Sequence, residues 1–243
     1  MAQIPEPAKE RLLYLMRLLE KRGEARITSG EIESITGWSS HTIRKDISYL
    51  GNADEGACVP DTAAGASAET ALPESEASLG NSAGYNPRSL IAAIRQALGL
   101  GGRRRLCVVG LGRLGSAYLN FQGFSHHGGT PDRVLAGELP GDLAEFELAA
   151  GFDSNVNRVE ILKSPAPLYP AFKMGEVIKR FSIEIALLCV PGDAAQAAAE
   201  KLAVAGIRGI VNFAPVALKL PPEIAVRNVY IVDELRALAV KIK

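Results

Sequence analysis

Apolar positions in the first fifty residues recur at helical spacing. Leu12, Leu13, Leu15, Met16, Leu18 and Leu19 form a broad apolar face from about Glu6 to Arg22, opened by Pro5 and Pro7 and closed by Gly23, which predicts a first helix. Thr28-Ser29-Gly30-Glu31 ahead of Ile32 and Ile35 reads as a capping box, because Glu31 can reach back to the cap amide, and Gly37 ends this second, short helix. Ser39 or Ser40 caps a third, SHTIRKDISYLG, with Ile43, Ile47 and Leu50 on one face and Gly51 as the stop. A turn of about 100° per residue places His41, Arg44, Lys45 and Ser48 together on the opposite, polar face, with Ser40 at its start. Those hydroxyl, guanidinium and ammonium groups suit phosphates and base edges in a major groove. The competing reading is the solvated side of an ordinary helix, on which Arg44, Lys45 and Asp46 serve only to meet water. The short turn from Gly37 to Ser40 fits a helix-turn-helix.

From residue 88 the pattern changes. A helical stretch, Arg88 to Leu98, precedes the apolar run Leu106 to Val109, a buried strand that enters Gly110-Leu111-Gly112-Arg113-Leu114-Gly115. G-x-G-x-x-G at a strand-to-helix junction has a mechanism: Gly110 permits the tight turn, Gly112 lets backbone approach a pyrophosphate, and Gly115 lets the next helix pack on the strand. A second strand, Phe146 to Phe152, ends at Asp153, where a carboxylate accepts hydrogen bonds from an adenosine ribose and favours NAD over NADP. Its distance from Gly115 exceeds the usual interval, which makes the segment around Ser125-His126-His127-Gly128-Gly129 an insertion; Glu138 is the other candidate for the ribose acid. Ile183 to Val190 and Gly209 to Phe213 read as further strands of βαβ units, separated by an Ala-rich helix from Asp193 to Ala205. The turns at their carboxyl ends, Val190-Pro191-Gly192 and Asn212-Phe213-Ala214-Pro215, are either simple turns or the border of the nicotinamide half of a bound dinucleotide.

The last segment, NVYIVDELRALAVKIK, carries Val232, Leu235, Leu238, Ala239 and Ile242 at steps of three and four, an amphipathic helix that covers either its own domain or a second subunit. The expected organisation is a helical domain over 1–51, an acidic low-complexity insertion over 52–87, a dinucleotide-binding domain over 88–225 and a C-terminal helix over 226–243.

Composition narrows the function classes. With 243 residues, 47% of them hydrophobic, the chain can build more than one core at roughly 100–200 residues per domain. Lys plus Arg equal Asp plus Glu at 27 each, so a nucleic-acid partner must be met by a local patch. By region, residues 1–51 hold eight basic against seven acidic groups, 52–87 none against six, and 88–243 hold 19 against 14, so the middle stretch is an acidic break, read as a mobile insertion. No long apolar run and no secretory pattern occurs, so no membrane partner and a cytoplasmic location are expected. Cys58, Cys107 and Cys189 are too widely spaced for a disulfide framework or a zinc cluster, and no metal site is expected. Cys189, at a strand end near the presumed cofactor, is either a buried apolar residue or a thiol switch. An oxidoreductase needs an acid or base beside the nicotinamide. None of the three histidines falls there, and Lys163 and Tyr169 have no support from their context, so no enzyme activity is expected.

The order of KERLLYLMRLLE, SSHTIRKDISYLG, VVGLGRLGSAYLNFQGF, FELAAGFD, LLCVPGDAAQ, VNFAPV and NVYIVDELRALA resembles the Rex family of redox-sensing transcriptional repressors over most of the chain. The resemblance implies an α/β protein: an N-terminal winged-helix domain, a Rossmann domain and a C-terminal helix exchanged within a homodimer. It implies binding to palindromic operator DNA when free or NAD-bound, and release by NADH. By position it assigns Arg44 and Lys45 to the operator, Gly110 to Gly115 to the pyrophosphate, Asp153 to the ribose, and Asn212 to Pro215 to the nicotinamide neighbourhood.

The chain departs from the family in three places. Its wing is replaced or extended by the acidic stretch from Asn52 to Gly84. In Asn120-Phe121-Gln122-Gly123-Phe124, Phe121 stands where a Tyr is common, and Tyr230 stands where an Asp is common. The expectation is that Tyr230 of one subunit supplies the phenol Phe121 lacks, which leaves the N-terminal-helix Arg11 without its carboxylate partner.

Overall fold

The computed structural model describes residues 4–23, 25–51, 80–81, 84–121, 124–126 and 145–242. Most of the acidic insertion, with Cys58, and Gln122, Gly123, His127 and Glu138 lie outside the described residues. The chain forms two compact units, Met1–Gly101 and Gly102–Lys243.

The first unit contains α1 (Glu6–Arg22), α2 (Ser29–Thr36), α3 (Ser40–Gly51) and α4 (Pro87–Ala97). Its apolar stripes meet in one core of Leu12, Leu15, Leu19, Ile32, Ile43, Ile47, Leu90 and Ile94. The capping box is present: Glu31 N–H donates to Thr28 Oγ1 at 3.2 Å, and Thr28 N–H donates to Glu31 Oε2 at 2.8 Å. Gly37, at φ 74°, ends α2 in the left-handed conformation that glycine takes without strain. Of the two serines that could cap α3, Ser39 does so, accepting from Thr42 N–H at 3.2 Å, while Ser40 N–H and hydroxyl both donate to Glu33 Oε2. A short antiparallel pair, β1 (Gly80–Asn81) and β2 (Gly84–Tyr85), joins this unit through Ile27 and Tyr85, which exchange backbone hydrogen bonds at 3.1 and 2.8 Å. The boundary expected at residue 88 is corrected. Leu90 and Ile94 place α4 in the helical core, so the first unit continues to Gly101.

The second unit is a parallel sheet of β3 (Arg104–Val109), β4 (Ser125–His126), β5 (Phe146–Asp153), β6 (Leu168–Pro170), β7 (Ile185–Leu188), β8 (Gly209–Asn212) and β9 (Ala225–Asn228). The spatial order is β4-β5-β3-β7-β8-β9, with β6 pairing the end of β5. Successive residues face opposite sides of a strand. Along β3, Cys107 and Val109 enter a core with α7 (Met174–Phe181) and α8 (Gly192–Ala205), while Leu106 and Val108 enter another with Leu111, before α5 (Arg113–Leu119), and Leu119 at its end. A short α6 (Val156–Ile161) follows β5. The sheet extends past the expected boundary at residue 225, because β9 pairs with β8 from Ala225 to Asn228. The C-terminal α9 (Ile231–Lys241) has no buried residue. Among the described residues no helix is long and apolar enough to cross a membrane.

Candidate functional site

The carboxyl ends of β3, β5, β7 and β8 converge on the glycine loop. Gly110 has φ 91°, and a Cβ there would lie 2.8 Å from Cys189 O, so neither conformation nor space admits a side chain. A Cβ on Gly115 would lie 1.8 Å from Gly110 O, which is how helix α5 comes to pack directly on the turn. Gly112 differs: a Cβ there would meet nothing within 4 Å. Two glycines thus let the loop close on the protein, and the third faces open space at the start of α5, whose first-turn amides have no partners within the helix. A dinucleotide pyrophosphate fits this cradle.

Asp153 lies under that loop, 4% exposed. Oδ2 accepts Leu111 N–H at 2.7 Å and an Arg158 guanidinium N–H at 2.9 Å, and Oδ1 accepts Asn155 N–H at 2.8 Å. Burial alone would raise the pKa of this carboxyl, but the Asn155 and Leu111 amides and Arg158 outweigh it and hold the group below the usual range. The acid therefore ties the end of β5 to the glycine loop. Leu111 contributes its amide to Asp153 and its side chain to the core. Arg113 and Leu114 are exposed on α5.

At the neighbouring strand ends, Val190 packs against Gly110, and exposed Pro191 precedes α8. Asn212 is fully buried: its Nδ2 donates to Val216 O at 2.8 Å and to Asn228 Oδ1 at 2.9 Å, and its Oδ1 accepts Ala214 N–H at 3.0 Å. It braces the turn that carries Phe213, Ala214 and Pro215. Phe213 packs on Tyr118 at 5.1 Å between ring centroids, and the aromatic chain continues through Phe121, itself half exposed, to Phe124. Tyr118 was not singled out by its sequence context. It sits in the last turn of α5, three residues before Phe121, which follows just past the helix end, and that spacing is the signal for their contact. Burial pushes the Cys189 thiol up to about 12, which keeps it protonated and fits the apolar reading of this residue.

In the first unit, α3 presents His41, Arg44, Lys45 and Ser48 to solvent, opposite buried Ile43, Ile47 and Leu50. Asp46 corrects the expectations twice. It is 4% exposed, not on the solvated face, and Arg11 of α1 grips it with two bonds, Nε to Oδ2 at 2.6 Å and Nη2 to Oδ1 at 2.9 Å. Arg11 therefore has a carboxylate partner within its own domain. The helical spacing itself carried the clue, since residue 46 falls with 43, 47 and 50 on the inward stripe. Because a buried charge left without its partner is costly, Arg11→Ala, which strands the buried Asp46 carboxylate, is expected to destabilise the helical unit by about 2 kcal/mol or more, read as a lower urea midpoint; an unchanged midpoint would show the pair to be energetically idle.

Fold and site together define a two-part protein: a small helix-turn-helix unit followed by an α/β unit with a dinucleotide-type glycine loop. Residues 103–216 match the family described as "CoA binding domain", and residues 3–48 match "Putative DNA-binding protein N-terminus". The chain is 33% identical over 93% of its length to the redox-sensing transcriptional repressor Rex of Thermus thermophilus, covering 88% of that protein. It is 29% identical over 99% of its length to the Rex of Carboxydothermus hydrogenoformans, covering 97% of it. Among solved structures, RSP in complex with beta-NAD+ and operator DNA matches with a TM-score of 0.72 at 25% identity, over 100% of this chain and 94% of that one. The chain belongs to the Rex family of redox-sensing transcriptional repressors.

Proposed function

We propose that this protein is a DNA-binding repressor that senses the ratio of NADH to NAD, binding a palindromic operator when free or NAD-bound and releasing it when NADH binds. The observation that carries the reading is the coexistence, on one chain, of a glycine loop whose Gly112 opens to space and a recognition helix whose outward face bears Arg44 and Lys45. The loop from Gly110 to Gly115 takes the pyrophosphate and Asp153 the adenosine ribose. The turns at Val190-Pro191 and Asn212 to Pro215 flank the nicotinamide, whose ring is charged in NAD and neutral in NADH. Ser40, His41, Arg44, Lys45 and Ser48 meet the operator.

The nucleotide acts by linkage, so NADH weakens DNA binding only as far as it prefers the arrangement that DNA does not. The testing experiment is reciprocal. NADH affinity measured by calorimetry must be lower with operator present than without it, by the factor by which NADH lowers operator affinity; an NADH affinity that operator leaves unchanged defeats the proposal.

Regulation fits the site better than oxidoreductase chemistry. Tyr169, one of the two side chains offered as an acid or base, is packed between the tilted rings of Phe152 and Phe181 at 6.1 and 6.5 Å, and the other, Lys163, is exposed.

The protein works as a homodimer through α9. Leu235 and Leu238 on α9 and Ile242 just past its end are all more than half exposed, an apolar row that needs a partner. In that dimer Tyr230 of one subunit approaches Phe121 of the other. Leu235→Glu combined with Leu238→Glu is expected to convert the dimer to a monomer in light scattering; an unchanged mass would place the interface elsewhere.

A further inference from the structure

The acid at the end of β5 is not a lone charge. Arg158, on the helix that follows, pairs with Asp153 Oδ2 at 2.9 Å, and its side chain is 45% exposed where that of Asp153 is 4% exposed. Oδ2 also holds the Leu111 amide, so both of its acceptor positions are filled. Oδ1 holds the Asn155 amide at 2.8 Å and keeps a second acceptor position, enough for one ribose hydroxyl.

An unpaired carboxylate in this position rejects a 2′-phosphate by charge, whereas a nearby arginine accommodates one. Here the two are joined. The guanidinium spends one N–H on Asp153 and, being nearly half exposed, has others to offer. A phosphate is its natural planar-fork partner. The backbone amides of Leu111 and Asn155 hold the carboxylate without help from Arg158, so the arginine can turn away without leaving the acid unsatisfied.

We propose that Arg158 is a specificity-determining residue: it sets how strongly the nucleotide site rejects a 2′-phosphate, pairing with Asp153 beside an unphosphorylated ribose and turning to the phosphate when NADPH binds. This rests on the reading of Asp153 as the ribose acid. Its consequence is a site that prefers NADH yet admits NADPH with a margin set by one exposed side chain.

The test is calorimetric titration of the full chain with NADH and with NADPH, in the unaltered protein and in Arg158→Ala, Arg158→Lys and Asp153→Asn. The unaltered protein should bind NADPH measurably, though more weakly than NADH. Arg158→Ala should weaken NADPH by about tenfold or more while NADH stays within about threefold. Arg158→Lys should recover part of the NADPH affinity. Arg158 is nearly half exposed, and the Leu111 and Asn155 amides hold the Asp153 carboxylate without it, so its variants fold. An arginine that merely braced the acid would shift both ligands together, and that result, or an absence of NADPH binding to the unaltered protein, overturns the proposal. Unchanged NADH affinity in a folded Asp153→Asn would instead overturn the ribose assignment beneath it.

Discussion

Gly115→Ala is expected to destabilise the sheet unit by more than about 4 kcal/mol, while Gly112→Ala leaves it folded and abolishes nucleotide binding. The two positions belong to one motif and differ in what surrounds them. At Gly115 a methyl group would lie 1.8 Å from the Gly110 carbonyl oxygen, and that oxygen belongs to a turn whose amide is tied to Phe152 O at 2.8 Å, so the backbone cannot yield. Relief requires α5 to lift from β3, which opens the core of Leu106, Val108, Leu111 and Leu119. At Gly112 the backbone is extended and the methyl group would enter empty space. The cost to stability there is within about 1 kcal/mol, the scale of a changed helix cap. The methyl group occupies the path by which a pyrophosphate reaches the backbone. Circular dichroism against urea and NADH calorimetry separate the two effects; a Gly115→Ala protein of ordinary stability, or a Gly112→Ala protein with undiminished NADH affinity, would contradict this geometry.

Replacing Arg44 and Lys45 together by alanine should lower operator affinity by about a hundredfold or more at moderate salt and flatten its salt dependence, each lost phosphate contact removing about one from the logarithmic slope. Both side chains are exposed on α3, and the residues that hold that helix in place, Ile43, Asp46, Ile47 and Leu50, are untouched. The double variant should therefore fold and bind NADH as before. Anisotropy titrations at several salt concentrations measure the slope. An unchanged slope would show that this face does not meet the phosphates.

The elements with strong local signals were legible in the sequence, and the reasons are physical. The box at Thr28 and Glu31 and the stop at Gly37 depend on neighbours within one turn, so they form as the residue pattern predicts. The glycine loop was legible because only glycine tolerates the closeness at residues 110 and 115. Edge strand β9, with its mostly exposed AVRN, and the short helix α6, with no buried residue, have no apolar period to betray them. Partners distant along the chain were hidden as well. Nothing near Arg11 announces Asp46, nor does the turn after Asn212 reveal that its amide bonds Asn228 across the sheet. Residue 88 looked like the start of a new domain because an acidic break precedes it, but burial of Leu90 and Ile94 decides otherwise.

The most direct measurement is fluorescence anisotropy of a labelled palindromic operator titrated with this protein alone, with NAD and with NADH. A redox-sensing repressor binds the operator alone and with NAD, and releases it with NADH. Operator binding indifferent to both nucleotides, or no binding in any of the three conditions, would contradict that function.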